Sequence, residues 1–221
     1  NTGVTRFYGA LLLDNSTSGM KFGDIGVAYL EETGTISTIT DPTGNIVIKH
    51  FVQLGSTPHS FYLPLSNSKL ILLGNNIFNG NFTFLGQNIE VGQTTFNGTV
   101  QITKYGSSDM TWSGGNVFNS TTTIKDSSTS GHYLKLGNTS NDDFNGNVTF
   151  IEKGSASLYP AYNTTSYFSG NVTVDGTAIA FGANGGKVVF DGASSQSINK
   201  SSSYVPSFKK VVINKSSGVL T

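Results

Sequence analysis

"FNGNVTF", residues Phe144 to Phe150, is a seven-residue phrase that recurs with small changes at Phe78 (FNGNFTF), Phe96 (FNGTVQI), Phe118 (FNSTTTI) and Phe168 (FSGNVTV). Aligned on the first aromatic, position +4 holds Phe82, Val100, Thr122, Val148 and Val172, and position +6 holds Phe84, Ile102, Ile124, Phe150 and Val174. Between them, position +5 holds Thr83, Gln101, Thr123, Thr149 and Thr173, polar and mostly β-branched. This period-two alternation predicts a strand with +4 and +6 in a core and +5 facing water. Two looser copies fit the same template: Phe7-Tyr8-Gly9 leads to Leu11 and Leu13, and Pro42-Thr43-Gly44 leads to Ile46 and Ile48. Helix formers are sparse, and no stretch holds a 3.6-residue period for three turns.

A second phrase, apolar-x-apolar-Gly, lies between the copies of the first: Leu70 to Gly74, Ile89 to Gly92, Leu134 to Gly137 and Ile179 to Gly182. Met110-Thr111-Trp112 is a looser instance. The connection from the first phrase to the second varies widely, tight at Leu85 to Asn88 and long at Lys104 to Asp109 and Lys125 to Tyr133, so one corner accepts insertions and another does not. Successive anchors are 18, 22, 26 and 24 residues apart. A repeat of that length buries its apolar face only by stacking on its neighbours.

These features predict an all-β chain folded as a parallel β-helix, a solenoid of irregular rungs of 18–26 residues, right-handed because parallel crossovers nearly always are. Phe78, Phe96, Phe118, Phe144 and Phe168 would stack in one file, and the Asn-Gly after each would supply a left-handed or turn conformation at the constant corner. The alternative is an antiparallel β-sandwich or meander in which Asn-Gly marks two-residue hairpins. Residues 1–221 read as one β-helix segment of a longer repetitive polypeptide, less regular over 1–68, regular over 69–187, and closed by a distinct repeat over 188–221.

Only 12% of residues are charged, and 13 basic against 13 acidic side chains give no net charge. No run of like charge draws the chain to nucleic acid or anionic lipid. Apolar runs such as Leu70 to Leu73 are far too short to insert in a membrane. The absence of cysteine removes disulfide and thiolate chemistry.

Because β-helices also serve as polysaccharide lyases and hydrolases, a carbohydrate-active enzyme or carbohydrate-binding module is the second function considered, and a phage or viral fibre the third. Enzymes of this kind need clustered carboxylates, whereas Asp109, Asp126, Asp142, Asp143, Glu152, Asp175 and Asp191 are scattered. Asp142-Asp143 reads as a turn pair bonding its own backbone before Phe144. His50, His59 and His132 share no metal-ligand spacing, and no nucleotide, calcium or hydrolase motif occurs. The reading is therefore of a non-enzyme with no cofactor, metal or catalytic residue. The Asn-x-Ser/Thr sequons at Asn81, Asn97, Asn147, Asn163 and Asn171 follow from composition, and the +5 threonines suit an exposed strand. Candidate contacts for a ligand or partner are the aromatics and the histidine in or beside the variable loops: Tyr105, Trp112, His132, Tyr133, Tyr159 and Tyr162. For Trp112, its place in a strand-like phrase favours the core.

With the phrases laid out, the chain resembles the long repetitive cell-surface proteins of gliding Bacteroidota, the type IX-secreted adhesins of the SprB kind. The carriers are the "FNGNVTF" phrases and the final stretch, "VVFDGASSQSINKSSSYVPSFKKVVINKSSGVLT", Val188 to Thr221. In that family Phe-x-Gly, Gln-x-Ile and Phe-x-x-Leu-x-Ile-Asn-x-Ser-x-Gly recur; the matching positions are Phe190 and Gly192, Gln196 and Ile198, then Phe208, Val211, Ile213, Asn214 and Gly218. Val211 stands where the family has leucine. The resemblance implies an extracellular, cell-surface β-helical filament that serves adhesion and gliding motility, with no catalytic residues to transfer. Its implied partners are neighbouring repeats of the same chain, other filament subunits, or surface polysaccharide.

Overall fold

The computed structural model describes residues 3–14, 18–65, 67–129, 131–201, 203 and 205–221. The chain winds into a parallel β-solenoid with three faces. The first face is a ten-stranded sheet running from Val4–Phe7 through Asn76–Phe78 and Asp142–Phe144 to Val211–Ile213. The second is a nine-stranded sheet from Ala10–Leu13 to Ile198–Lys200. The third is divided into a five-stranded sheet from Met20–Phe22 to Ser113–Gly114 and a four-stranded sheet from Leu134–Lys135 to Ser207–Phe208. Each strand pairs in parallel with its counterpart one turn away. The helical content of the described residues is one 3-10 turn, Ala183–Gly185.

The alternation read from the phrase holds in the register. Thr83, Gln101, Thr123 and Thr149 lie opposite one another on the outer side of the second face, while Phe84, Ile102, Ile124 and Phe150 stack inside. Thr122 occupies a core position and satisfies its hydroxyl by donating to the Ser120 carbonyl (3.1 Å). The anchoring rings also stack: Phe96, Phe118, Phe144 and Phe168 follow one another at 5.2, 4.7 and 5.0 Å with planes within 8° of parallel, and Phe78 joins at 5.7 Å. All five are buried.

One expectation about a corner, the left-handed backbone, is corrected. The Asn-Gly after each anchor bends without left-handed backbone; positive φ instead occurs before the anchor, at His50, Asn75, Gln93, Gly74 and Gly115. Glycine follows the anchor because rungs pass too closely there for a side chain. A Cβ on Gly98 would lie 2.5 Å from the Gly80 carbonyl carbon, and one on Gly146 would lie 2.4 Å from that of Ser120. The asparagine before it has another task. Asn97 donates its amide to Asn79 (2.6 Å), Asn119 to Asn97 (2.7 Å) and Asn145 to Asn119 (2.8 Å), forming an exposed amide ladder.

The looser copy at Phe7 belongs to the same stack, since Phe7 pairs with Leu30 on the first face and Leu11 with Ile36 on the second. The copy at Pro42 does not. Ile46–Ile48 is buried as expected but pairs with Met20–Phe22 and Lys69–Leu72 on the third face. In these early turns Leu30 and Gln53 occupy the anchor column, so alignment on an aromatic assigned this segment to the wrong face.

Residues of the final stretch stitch turns together. Gln196 is buried; its oxygen accepts from the Gly192 N–H (3.0 Å), and its amide donates to the carbonyls of Phe168 and Gly170 (both 2.8 Å). Phe208 stacks on Phe181 at 4.5 Å.

Candidate functional site

The variable corner joins the second face to the third, and buried charges gather there. Lys104, Asp126 and Glu152 end successive strands in register, and all three point inward and are buried. Such charges are costly unless satisfied internally, and the inserted loops supply partners for all but the second Glu152 oxygen, which is buried without a hydrogen bond among the described residues. Asp126 accepts from the N–H groups of Ser128 (2.9 Å) and Leu134 (3.0 Å). One oxygen of Glu152 accepts from the Thr177 N–H and hydroxyl and the Ala178 N–H at 3.0–3.1 Å. Lys104 donates to the Ser128 hydroxyl (2.6 Å) and to the carbonyls of His132 (3.1 Å) and Gly106 (3.4 Å). Burial lowers the Lys104 pKa against the opposing pull of Asp126, and burial raises that of Asp126 despite its hydrogen bonds.

Glu90, one turn earlier, is buried and accepts from the Thr111 N–H (2.8 Å), the Trp112 N–H (2.6 Å) and the Lys69 ammonium (3.0 Å). Asp109 binds the Tyr133 N–H (2.7 Å) and pairs with Lys135. Burial opposes its charge, but Lys135 and the N–H outweigh it and hold the carboxyl below its usual pKa. These acids thus act as clamps on the backbone of the insertions. No group of three or more His, Cys, Asp or Glu placed to hold a metal occurs among the described residues.

The candidate aromatics separate into three places. Tyr133, Tyr159 and Tyr162 come together on the third face, with ring separations of 5.6 and 5.2 Å, and Lys135 lies over Tyr133 and Tyr162 at 5.3 and 5.0 Å. Tyr105 stands apart, hydrogen-bonded to Tyr62, and burial raises its pKa. His132 contributes its carbonyl to Lys104, as above. Trp112 is 60% exposed, correcting the core assignment. Met110 enters the core, but the strand begins only at Ser113, and Ser113, not Trp112, turns inward.

Asp142 and Asp143 form no turn; they begin the strand Asp142–Phe144 and face opposite sides. Asp142 is fully buried, accepting from the Asn116 N–H (3.0 Å) and amide (2.8 Å) and the Gly137 N–H (2.6 Å). Burial raises its pKa to about 6. It belongs to an interior polar column of Asn76, Thr94, Asn116, Asp142 and Ser166, two residues before each anchor. The signal was present in the sequence, because a polar residue precedes all five phenylalanines at that spacing. His59 is buried in the core; its Nδ1 accepts from the Ile36 N–H (3.2 Å), its ring meets Phe78 edge-on at 5.5 Å, and burial lowers its pKa to about 4.

Among the described residues, no helix is long and apolar enough to cross a membrane. Comparison with known protein families, curated proteins and solved structures found no match.

Proposed function

We propose that the chain is a rigid spacer in a long adhesive filament on a bacterial surface, of the type IX-secreted, SprB-like kind that serves attachment or gliding in Bacteroidota. The observation that carries this reading is the ten-stranded parallel sheet, continuous from Val4–Phe7 to Val211–Ile213, with the phenylalanine file behind its middle. Nine inter-strand steps of about 4.8 Å make that sheet roughly 43 Å long. Each added turn lengthens the rod and gives the turn before it a hydrogen-bonding partner. Neighbouring repeats or other filament subunits would continue the ladders at the two terminal edge strands, where Phe7 and Ile213 lie in the anchor column. The positions shared with that family also have mechanical roles, as the stitching by Gln196 and the stacking by Phe208 illustrate.

Surface labelling of the source cells tests the proposal. Antibody raised against this chain should decorate intact cells along filaments, and deleting the coding segment should weaken attachment to glass or slow gliding. Label confined to permeabilised cells, or a deletion strain that attaches and glides normally, would overturn it.

A further inference from the structure

Of the candidate aromatics, Tyr133, Tyr159 and Tyr162 are taken up in the cluster around Lys135 and Tyr105 is hydrogen-bonded to Tyr62, which leaves Trp112. Trp112 is 60% exposed and makes no ring or cation contact among the described residues. Its position is nonetheless fixed. Glu90 accepts from the N–H groups of Thr111 and Trp112, the Asn138 amide donates to the Thr111 carbonyl, and Ser113 is buried beside it. A large exposed apolar ring on a pinned backbone is pre-organised for contact, since little further ordering is needed on binding.

The ring borders a groove of about 310 Å³ lined also by Leu73, Gly92, Gln93, Gly114, Thr139 and Ser140. The groove lies where the third face divides. Glycine is required there: a Cβ on Gly114 would lie 2.1 Å from the Ser140 carbonyl oxygen. No ionisable side chain lines it. What it offers is one flat aromatic face, the exposed Gln93 side-chain amide, the Ser140 hydroxyl, and the Thr139 hydroxyl, which donates to the Ser113 carbonyl (2.8 Å) and keeps its oxygen as an acceptor. A charged ligand would find no counter-charge, and a wholly apolar one would leave the Gln93 amide and the Ser140 hydroxyl unmatched. A neutral sugar satisfies both sides, with its axial C–H face against the indole and its hydroxyls toward the amide and hydroxyl groups.

We propose that this groove binds a pyranose unit of a neutral polysaccharide, with Trp112 as the stacking platform. The site gives a local contact to a segment otherwise read as a spacer, and it stands or falls independently of that reading.

Trp112 is the only tryptophan in the chain, so its fluorescence reports this site alone. The full 221-residue chain is titrated with cellohexaose, laminarihexaose, mannohexaose and chitohexaose, following emission and heat of binding. At least one should give a saturable emission change. Trp112→Ala should weaken that binding by about tenfold or more, as loss of an anchoring aromatic does, and Gln93→Ala should weaken it less. Circular dichroism and melting temperature, unchanged in Trp112→Ala because the ring lies outside the core, confirm that the fold is intact. Silence from all four sugars, binding that Trp112→Ala leaves intact, or an emission shift that depends on protein concentration without sugar would each overturn the proposal, the last by assigning the ring to a second copy.

Discussion

The corner after each anchoring phenylalanine and the corner leading into the third face solve the same problem, turning the chain between parallel sheets, by opposite means. At the first, rungs lie so close that glycine is sterically required, the N–H after each anchor reaches the preceding anchor's carbonyl at 2.8–2.9 Å from Asn97 to Ser169, and asparagine amides repeat the contact outside. At the second, spacing varies, and each loop is held by its own acid or lysine: Glu90 for Thr111 and Trp112, Asp126 for Leu134, Glu152 for Thr177. The first corner makes the rod. The second lets individual turns differ without disturbing it, and there the third face divides and Trp112 is presented.

The largest expected effect breaks the regular corner. Phe118→Ala removes a buried ring packed at 5.2 and 4.7 Å between two others and should cost about 3–5 kcal/mol in urea unfolding. Gly146→Ala comes next at about 1–3 kcal/mol, because its Cβ would lie 2.4 Å from the Ser120 backbone. Gly131→Ala, with nothing within 4 Å and φ of +86°, should cost only about 1 kcal/mol of backbone strain. If the two glycine variants are equally stable, close approach is not what selects glycine at the anchor corner.

Two buried titrating groups of the interior, His59 and Asp142, act in opposite senses. His59 has a pKa of about 4 in the fold against 6.5 unfolded, so between those values the unfolded chain binds more protons and acidification weakens the fold. Asp142 has a pKa of about 6 against 3.8, so across that range the folded chain binds more protons and acidification strengthens the fold. Relative to the unsubstituted chain, His59→Leu should therefore gain stability as pH falls from about 6.5 to 4, and Asp142→Asn should lose it, each by on the order of 2 kcal/mol. Unfolding midpoints across that pH range check the crossing slopes. The smallest effect is at the exposed amide ladder, where Asn119→Ala should lower stability by about 0.5–1 kcal/mol in the same assay.

How much of this was legible follows from where repetition was strict. The solenoid, the in/out alternation and the phenylalanine file could be read because Phe82, Thr83 and Phe84 reappear in kind four more times. The face carrying Ile46–Ile48 was misassigned because Leu30 and Gln53 take the anchor position in those turns, and Gln53 satisfies the corner with side-chain hydrogen bonds to the N–H groups of Asn79 and Gly80 in place of a ring. Period-two reasoning placed Trp112 inside because a strand that begins only at Ser113, after the phrase, leaves no mark on alternation. The polar column through Asp142 was present at a fixed offset but was masked by the expectation that adjacent acids form turns. Long-range clamps such as Glu90 on Trp112, 22 residues away, depend on loop geometry that no local pattern encodes.

Native-state hydrogen exchange, resolved by segment, tests the contrast between the corners most directly. Amides of 76–78, 94–96, 117–118 and 142–144, together with those just after each anchor, should exchange only through global unfolding and at one common free energy. Amides of 106–109, 129 and 131, in the inserted loops, should exchange faster, through local opening. Uniform protection of both sets, or earlier exchange at the phenylalanine corner, would contradict the division between a regular corner that holds the rod and a variable one that decorates it.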